Sequence, residues 1–243
     1  MKSVEFPGTR HQEGNRFFPF GDLYVVDMPG SLSRKDRDVL FTLLFPIAQS
    51  AFQREVTPAF REDVRRHLFG GGPLMFLADS AVCSAVPRAF CIWDSVWCDQ
   101  VSALLLSGVC VSRDFQRMGL GTGFIKFAME YLKTPRTNFL VLRTQNPVMK
   151  KTLDDAVGVE SFPRVNEHVP GDVSTVAGHI AQALGDSRFE SQTLTSPKVY
   201  GQSLYGEEIP SLEDVRYRKL FSELISQKEG DAMYCVFRIQ NAR

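Results

Sequence analysis

The chain has 243 residues, with 28 basic and 28 acidic side chains and five cysteines. That length buries the core of one domain, or of one domain with an elaboration, and cancelled charge gives no global field to draw nucleic acid or an anionic membrane. No apolar run approaches the ~20 residues of a membrane span, and the opening MKSVEFPGTRHQEG holds no signal-peptide apolar stretch. Cys83, Cys91, Cys98, Cys110 and Cys235 show no Cys-x-x-Cys or paired Cys/His spacing. Reduced buried thiols, no metal site and a cytoplasmic setting are therefore expected.

Residues 1–20 read as a polar extension whose aromatic end (Phe17, Phe18, Phe20) docks on the body. Asp22 to Asp27 reads as a first strand. Ser31 to Phe52 reads as a helix with Leu40, Leu43, Leu44, Ile47 and Ala51 as its buried stripe, and Pro46 is expected to kink or split it. Thr57-Pro58, an N-cap followed by the proline favoured at the first helical position, opens a second helix to about Phe69. Gly70-Gly71-Gly72 then ends that helix and leads into a strand at Leu74 to Ala78. Arg88 to Cys98 alternates in character and pairs through Asp99-Gln100 with a strand from Val101, whose part from Ala103 to Val111 is apolar on both faces.

A helix stripe follows at Leu120, Phe124, Phe127, Ala128 and Tyr131, then a strand at Asn138 to Leu142 and a helix after Asn146-Pro147. Beyond about residue 158 the pattern loosens, with Pro163, Pro170, Pro197 and Pro210 and helices at Thr175 to Leu184 and Leu212 to Ile225. A final strand runs from Ala232 to Ile239. The expectation is a single domain over 21–243 of α/β (α+β) class.

The junction Val111-Ser-Arg-Asp-Phe-Gln116-Arg117-Met118-Gly119-Leu120-Gly121 runs from a buried strand through a polar turn into a helix. Its two glycines let main-chain amides approach a ligand without Cβ interference, and free N–H groups with the helix dipole suit a diphosphate. Two other glycine-loop readings fail. A dinucleotide turn needs a third small residue where Phe124 stands, and neither this turn nor Gly70-Gly71-Gly72 supplies Gly-Lys-Ser/Thr.

At Gln116, Gly119 and Gly121 the chain resembles the GNAT superfamily of acyl-CoA-dependent N-acyltransferases, which carries Gln/Arg-x-x-Gly-x-Gly/Ala after its fourth strand. The resemblance is specific over about 101–158. It implies a GNAT-like mixed, mostly antiparallel sheet with helices on both faces, and an expanded C-terminal half with an insertion at about 159–230 before the last strand. It also implies acetyl-CoA as acyl donor, and a primary amine, small molecule or protein, attacking the thioester directly. It further implies that main-chain groups at Val109 and Val111 pair with pantetheine, with an N–H near Val109 facing the thioester oxygen. Gln116, Arg117, Met118, Gly119, Leu120, Gly121 and Thr122 would hold the diphosphate, and Asn146 would contact the pantetheine or acetyl region. An N-cap role alone is the preferred reading of Asn146, although the two roles can coexist.

The chain departs from the family at one place. A tyrosine that often follows that asparagine by about seven residues, as acid to the leaving thiolate, is Leu153 here. Tyr200 and Tyr205, in the insertion, are the phenols that could replace it, or they simply pack that loop. For the base that removes a proton from an ammonium group, Asp94, Asp99 and Asp27 are the carboxylates near strand ends, each equally explained as solvated. Asp99 and Tyr205 are the preferred pair. His168 reads as an exposed loop histidine, and Cys110 lacks a neighbouring His base. Trp93, Ser95 and Trp97 share a strand face that would serve core packing or an acceptor groove. A non-catalytic acyl-CoA-binding protein on the same scaffold is the rival reading.

Overall fold

Residues 7–11, 17–18, 21–78, 86–98, 101–205, 210 and 212–239 are described in a computed structural model of the chain. Among them are eight strands, β1 (Thr9–His11), β2 (Asp22–Val26), β3 (Leu74–Ala78), β4 (Pro87–Cys98), β5 (Val101–Val111), β6 (Thr137–Thr144), β7 (Thr195–Ser196) and β8 (Ala232–Arg238). Six α helices join them: α1 (Arg34–Phe52), α2 (Pro58–Gly70), α3 (Leu120–Tyr131), α4 (Pro147–Val157), α5 (Gly171–Ala183) and α6 (Val215–Leu224). The strand order is β1-β2-β3-β4-β5-β6-β8-β7, in a mixed α/β class with a mostly antiparallel sheet. The chain divides into two compact units, Met1–Asp94 with Leu106–Met129 and Ser95–Leu105 with Glu130–Arg243.

In the first unit all five residues of β3 are buried. Alternation then requires cover on both faces. Leu74, Phe76 and Ala78 join Phe90, Ile92 and Cys110 in a cluster with Leu40, Phe41, Leu44 and Ile47 of α1 and Phe60, Val64 and Leu68 of α2. Met75 and Leu77 point the other way, in register with Val25 and Leu23 of β2. α1 begins three residues later than its periodicity suggests, because Pro29–Ser31 forms a 3-10 turn and the Ser33 hydroxyl oxygen accepts from the Asp36 N–H at 3.2 Å. Pro46 does not split α1. Its side chain is exposed, while Leu44, Phe45, Ile47 and Ala48 around it are packed into the core.

The aromatic pair at Phe17 and Phe18 does lie against α3. Phe18 is buried with its ring centroid 4.9 Å from that of Phe124, and Phe17 meets Phe127 edge-on at 6.1 Å. A Cβ on Gly123 would stand 2.8 Å from Phe18 Cε1 and 2.9 Å from the Phe17 carbonyl oxygen, so only glycine fits there. Phe20 lies outside the described residues.

The second unit is built on β6 and β8, antiparallel from Phe139↔Arg238 to Thr144↔Met233, with α5 packing Val173, Val176, Ala177 and Ile180 onto Val141, Tyr234 and Val236. Two ionic networks hold its polar parts. Arg143 donates to both carboxylate oxygens of Asp186, at 2.8 and 3.0 Å, and the Tyr234 hydroxyl donates to the same carboxylate. Lys150 is fully buried, and its ammonium donates to Asp154 at 3.2 Å and to the Ser161 carbonyl and hydroxyl oxygens at 2.7 and 2.9 Å. The Asp154 carboxylate also accepts from the Ser161 N–H at 2.8 Å and the Tyr217 hydroxyl at 3.0 Å, tying α4 to α6. Burial, with the Asp154 charge behind it, pushes the Tyr217 phenol well above its ordinary range.

A buried charge that loses its partner is destabilised far more than a pair replaced together. Asp154→Ala, which strands the Lys150 ammonium, is therefore expected to cost about 3–5 kcal/mol of unfolding free energy in urea titration. The double change Lys150→Met with Asp154→Leu should cost less than the single one.

Candidate functional site

β5 feeds the turn. Ser102 to Leu106 and Cys110 are buried, while Ser107 to Val109 and Val111 are half-buried. After Val111 the chain tightens into a 3-10 turn, Arg113–Phe115, with the Phe115 N–H donating to the Ser112 carbonyl at 2.9 Å and the Gln116 N–H to the Arg113 carbonyl at 3.3 Å. Gln116 then bends its side chain back, and its Nε2 donates to the Val111 carbonyl at 3.2 Å. Its amide group thus closes the turn.

Arg117 and Gly119 both have left-handed backbones, with φ of +65° and +78°. A left-handed arginine is unusual, since Cβ crowds its own carbonyl there. The pair turns the main chain so that α3 starts with the Gly123 N–H on the Gly119 carbonyl at 2.9 Å. The turn at Gln116 and Arg117 draws the Met118 N–H back toward the preceding carbonyls, while among the described residues no carbonyl or side chain accepts from the N–H of Arg117, Gly119, Leu120, Gly121 or Thr122. These are the donors that a helix start leaves open, and the helix dipole adds partial positive charge to them. Gln116, Arg117, Met118 and Gly119 are exposed, and Gly121 and Thr122 half-buried. Leu120 anchors the helix in the core, so it offers only its main chain. An ideal Cβ on Gly119 would have nothing within 4 Å, which leaves the space over the turn open. No described carboxylate bridges to Arg117. A concave run of donors with a cation beside it fits an anion with several oxygens.

In the second unit, Asn146 has two employments. Its Oδ1 accepts from the Val148 N–H at 2.9 Å, capping α4, and its Nδ2 donates to the Tyr205 hydroxyl oxygen at 3.1 Å. The residue that brings Tyr205 there is Gln145, which is fully buried. Its Oε1 accepts from the Leu204 N–H at 2.8 Å, and its Nε2 donates to the Asp231 carbonyl at 2.8 Å. Gln227 Nε2 donates in turn to the Gln145 carbonyl at 2.6 Å. Nothing in the periodicity marks Gln145. The one signal is its place in a polar run, Thr144-Gln145-Asn146, that ends an otherwise apolar strand.

Leu153, at the position where the family has its phenol, is buried in the core. The two insertion tyrosines part company. Tyr205 meets Asn146, whereas Tyr200 donates its N–H to the Gly230 carbonyl at 3.0 Å and its ring lies 5.2 Å from the Arg143 guanidinium.

The remaining candidates separate as follows. Cys110 is buried and burial pushes its thiol up to about 12, as it does that of Cys235, while Cys91 rises further. Trp93 is core, with its Nε1 donating to Cys91 Sγ at 3.2 Å, whereas Ser95 and Trp97 are exposed and Arg136 lies 6.0 Å from the Trp97 ring. Asp27 and His168 are exposed, and Asp99 lies outside the described residues. Asp94 is not solvated as a strand-end carboxylate would be: it accepts from the Gly72 N–H at 2.6 Å and from the Ser107 hydroxyl. Among the described residues no group of His, Cys, Asp and Glu has metal-ligand spacing.

No protein-family model matches the chain, and no curated protein matches it. Solved structures do. One is the ribosomal-protein-S18-alanine N-acetyltransferase of Escherichia coli, at 14% identity and a TM-score of 0.42, covering 91% of this chain and 96% of that one. Another is an aminoglycoside 6'-acetyltransferase type Ii, at 9% identity and a TM-score of 0.45, covering 90% and 99%. A third is the IAA acetyltransferase of Bacillus cereus, at 12% identity and a TM-score of 0.41, covering 89% and 99%. Superpositions this loose carry no argument about this chain.

A buried thiol in apolar surroundings is inert as a nucleophile. Alkylation of the folded protein at neutral pH, followed by mass spectrometry, is expected to leave Cys91, Cys110 and Cys235 unmodified, and all three should react after denaturation. An acetyl group found on Cys110 would contradict this.

Proposed function

We propose that this protein is an N-acetyltransferase that moves an acetyl group from acetyl-CoA to a primary amine by direct attack. The observation that carries the reading is the set of N–H groups of Arg117 and of Gly119 to Thr122, at the start of α3, that meet no acceptor among the described residues. Charge-assisted hydrogen bonds from such donors are the strong ones, at about 1.5–3 kcal/mol each. Five such donors, beside the exposed Arg117 side chain, suit the donor's two linked phosphates. Val109 and Val111 supply main-chain groups to pantetheine, and the Val109 N–H is assigned to the oxyanion that forms at the thioester carbon.

In the second unit the reading gives Tyr205 the proton that neutralises the departing thiolate, with Asn146 orienting its hydroxyl. Supporting it is the pairing itself: α4 offers no phenol, and the insertion delivers one to the asparagine that caps that helix. Asn146 donates to the phenolic oxygen and so fixes the direction of that hydroxyl. A cytoplasmic location fits the reading, and among the described residues no helix is long and apolar enough to cross a membrane. The burial of Leu153 favours one rival, a protein that binds acyl-CoA without turning it over.

Two measurements decide between them. Calorimetric titration with CoA is expected to show binding that Gly119→Ala retains and Gly119→Glu loses by on the order of 100-fold. Alanine leaves the donors open, whereas glutamate sets a carboxylate against the phosphates. Thiol release from acetyl-CoA should occur with at least one member of a primary-amine panel (an alkyl diamine, an aminoglycoside, peptides with a free α- or ε-amine). Tyr205→Phe should lower kcat about 100-fold, with CoA affinity unchanged. Tight CoA binding without thiol release on any amine would establish the rival, and unchanged affinity in Gly119→Glu would overturn both.

A further inference from the structure

Aspartate is disfavoured inside strands, yet Asp94 sits within the twelve-residue strand β4, and the molecule is shaped around it. A Cβ on Gly71 would lie 2.6 Å from Asp94 Oδ1, and a Cβ on Gly72 would lie 2.4 Å from the Trp93 carbonyl oxygen. The two glycines after α2 are thus required by a carboxylate and by the strand that carries it. One oxygen of that carboxylate accepts from the Gly72 N–H at 2.6 Å, and the other accepts from the Ser107 hydroxyl of β5. Among the described residues no cation lies within bridging distance of Asp94. Its charge is held by one amide and one hydroxyl.

This arrangement fixes the polarity of Ser107. Its single proton is committed to Asp94, so its lone pairs are left to accept from something else. Ser107 precedes Val109 by two residues, about 7 Å along an extended strand. In the acetyltransferase reading, on which the inference rests, the Val109 N–H marks the reacting carbonyl. We propose that Ser107 is the group that takes the proton from the acceptor's ammonium, and that Asp94 is the positioning residue that makes this possible.

The step balances. The ammonium gives one proton to Ser107 Oγ as Ser107 passes its own to Asp94 Oδ2. The freed lone pair forms the C–N bond, and the C–S bond breaks with its electron pair on sulfur. Nitrogen loses two protons altogether: one leaves through Ser107 and Asp94 to water, and the other balances the proton taken up by sulfur. The products are the amide, the thiol of CoA and one proton. The carboxylate recovers its charge when that proton departs.

The competing role is a staple that merely holds the loop between α2 and β3 to the sheet. Acceptors of different basicity separate the two. Ser107→Ala, Asp94→Asn and Ser107→Thr are compared with the unaltered protein, using the best alkylamine of the panel and hydroxylamine, which is already unprotonated at neutral pH. A proton-accepting role predicts that kcat/KM for the alkylamine falls about 100-fold or more in Ser107→Ala and Asp94→Asn. It should fall less than about threefold for hydroxylamine, with Ser107→Thr restoring most of the alkylamine rate and CoA affinity unchanged throughout. Equal losses on both acceptors, or no loss on either, would overturn the inference and leave the acetyltransferase reading standing. If the unaltered protein neither binds CoA nor releases thiol, that reading fails and takes this inference with it.

Discussion

A main-chain N–H that meets no carbonyl needs another acceptor, and among the described residues the turn between β5 and α3 presents five of them, at Arg117 and from Gly119 to Thr122. The rest of the first unit is arranged to keep them that way. Gln116 spends its side chain on the Val111 carbonyl, the left-handed backbones at Arg117 and Gly119 direct the amides outward, and Leu120 pins the helix to the core. Were the turn a simple helix cap, a serine or aspartate oxygen would be expected over those amides. None of the described side chains fills that place. The strain of a left-handed arginine is then the cost of holding donors in readiness, a pattern typical of functional turns.

The second unit solves a separate problem by the same means, namely holding a flexible segment with buried polar side chains. The loop carrying Tyr200 and Tyr205 has little regular structure. It is fixed by the Gln145 amide to the Leu204 N–H, by Gly230 to the Tyr200 N–H, and by Arg143 against the Tyr200 ring. Each anchor is a group that would be costly to bury unpaired. The loop is therefore attached to the end of β6 through polar contacts more than through apolar packing, and this sets the position of the Tyr205 hydroxyl beside Asn146.

Local signals explain which parts of this were readable beforehand. Thr57-Pro58, the alternation of β4, the apolar run of β5 and the glycines at 119 and 121 each carry their meaning within a few residues, and the elements they announce are present. β1 and β7, three and two residues long, exist only through pairing with β2 and β8 and leave no periodic trace. Pro46 predicts a kink or a split, and the split does not occur, because the packing of its neighbours outweighs one missing hydrogen bond. The contact between Asn146 and Tyr205 spans 59 positions, and that between Asp94 and Gly72 depends on a loop folding back onto a strand. Such contacts arise from topology, which spacing along the chain does not encode. For the same reason the chain alone reads Asp94 as an ordinary solvated carboxylate.

The contact between Phe18 and Gly123 bears on where the working part of this protein starts. Strand periodicity alone would place the boundary at Asp22, and an expression fragment trimmed there would discard the two rings that lie on α3. The helix would then expose Phe124 and Phe127 to water, at the element whose first turn presents the open amides. A shortened version would thus be compromised at the start of α3 by a deletion made about a hundred residues earlier in the chain. Fusion tags and trimming sites belong ahead of residue 17.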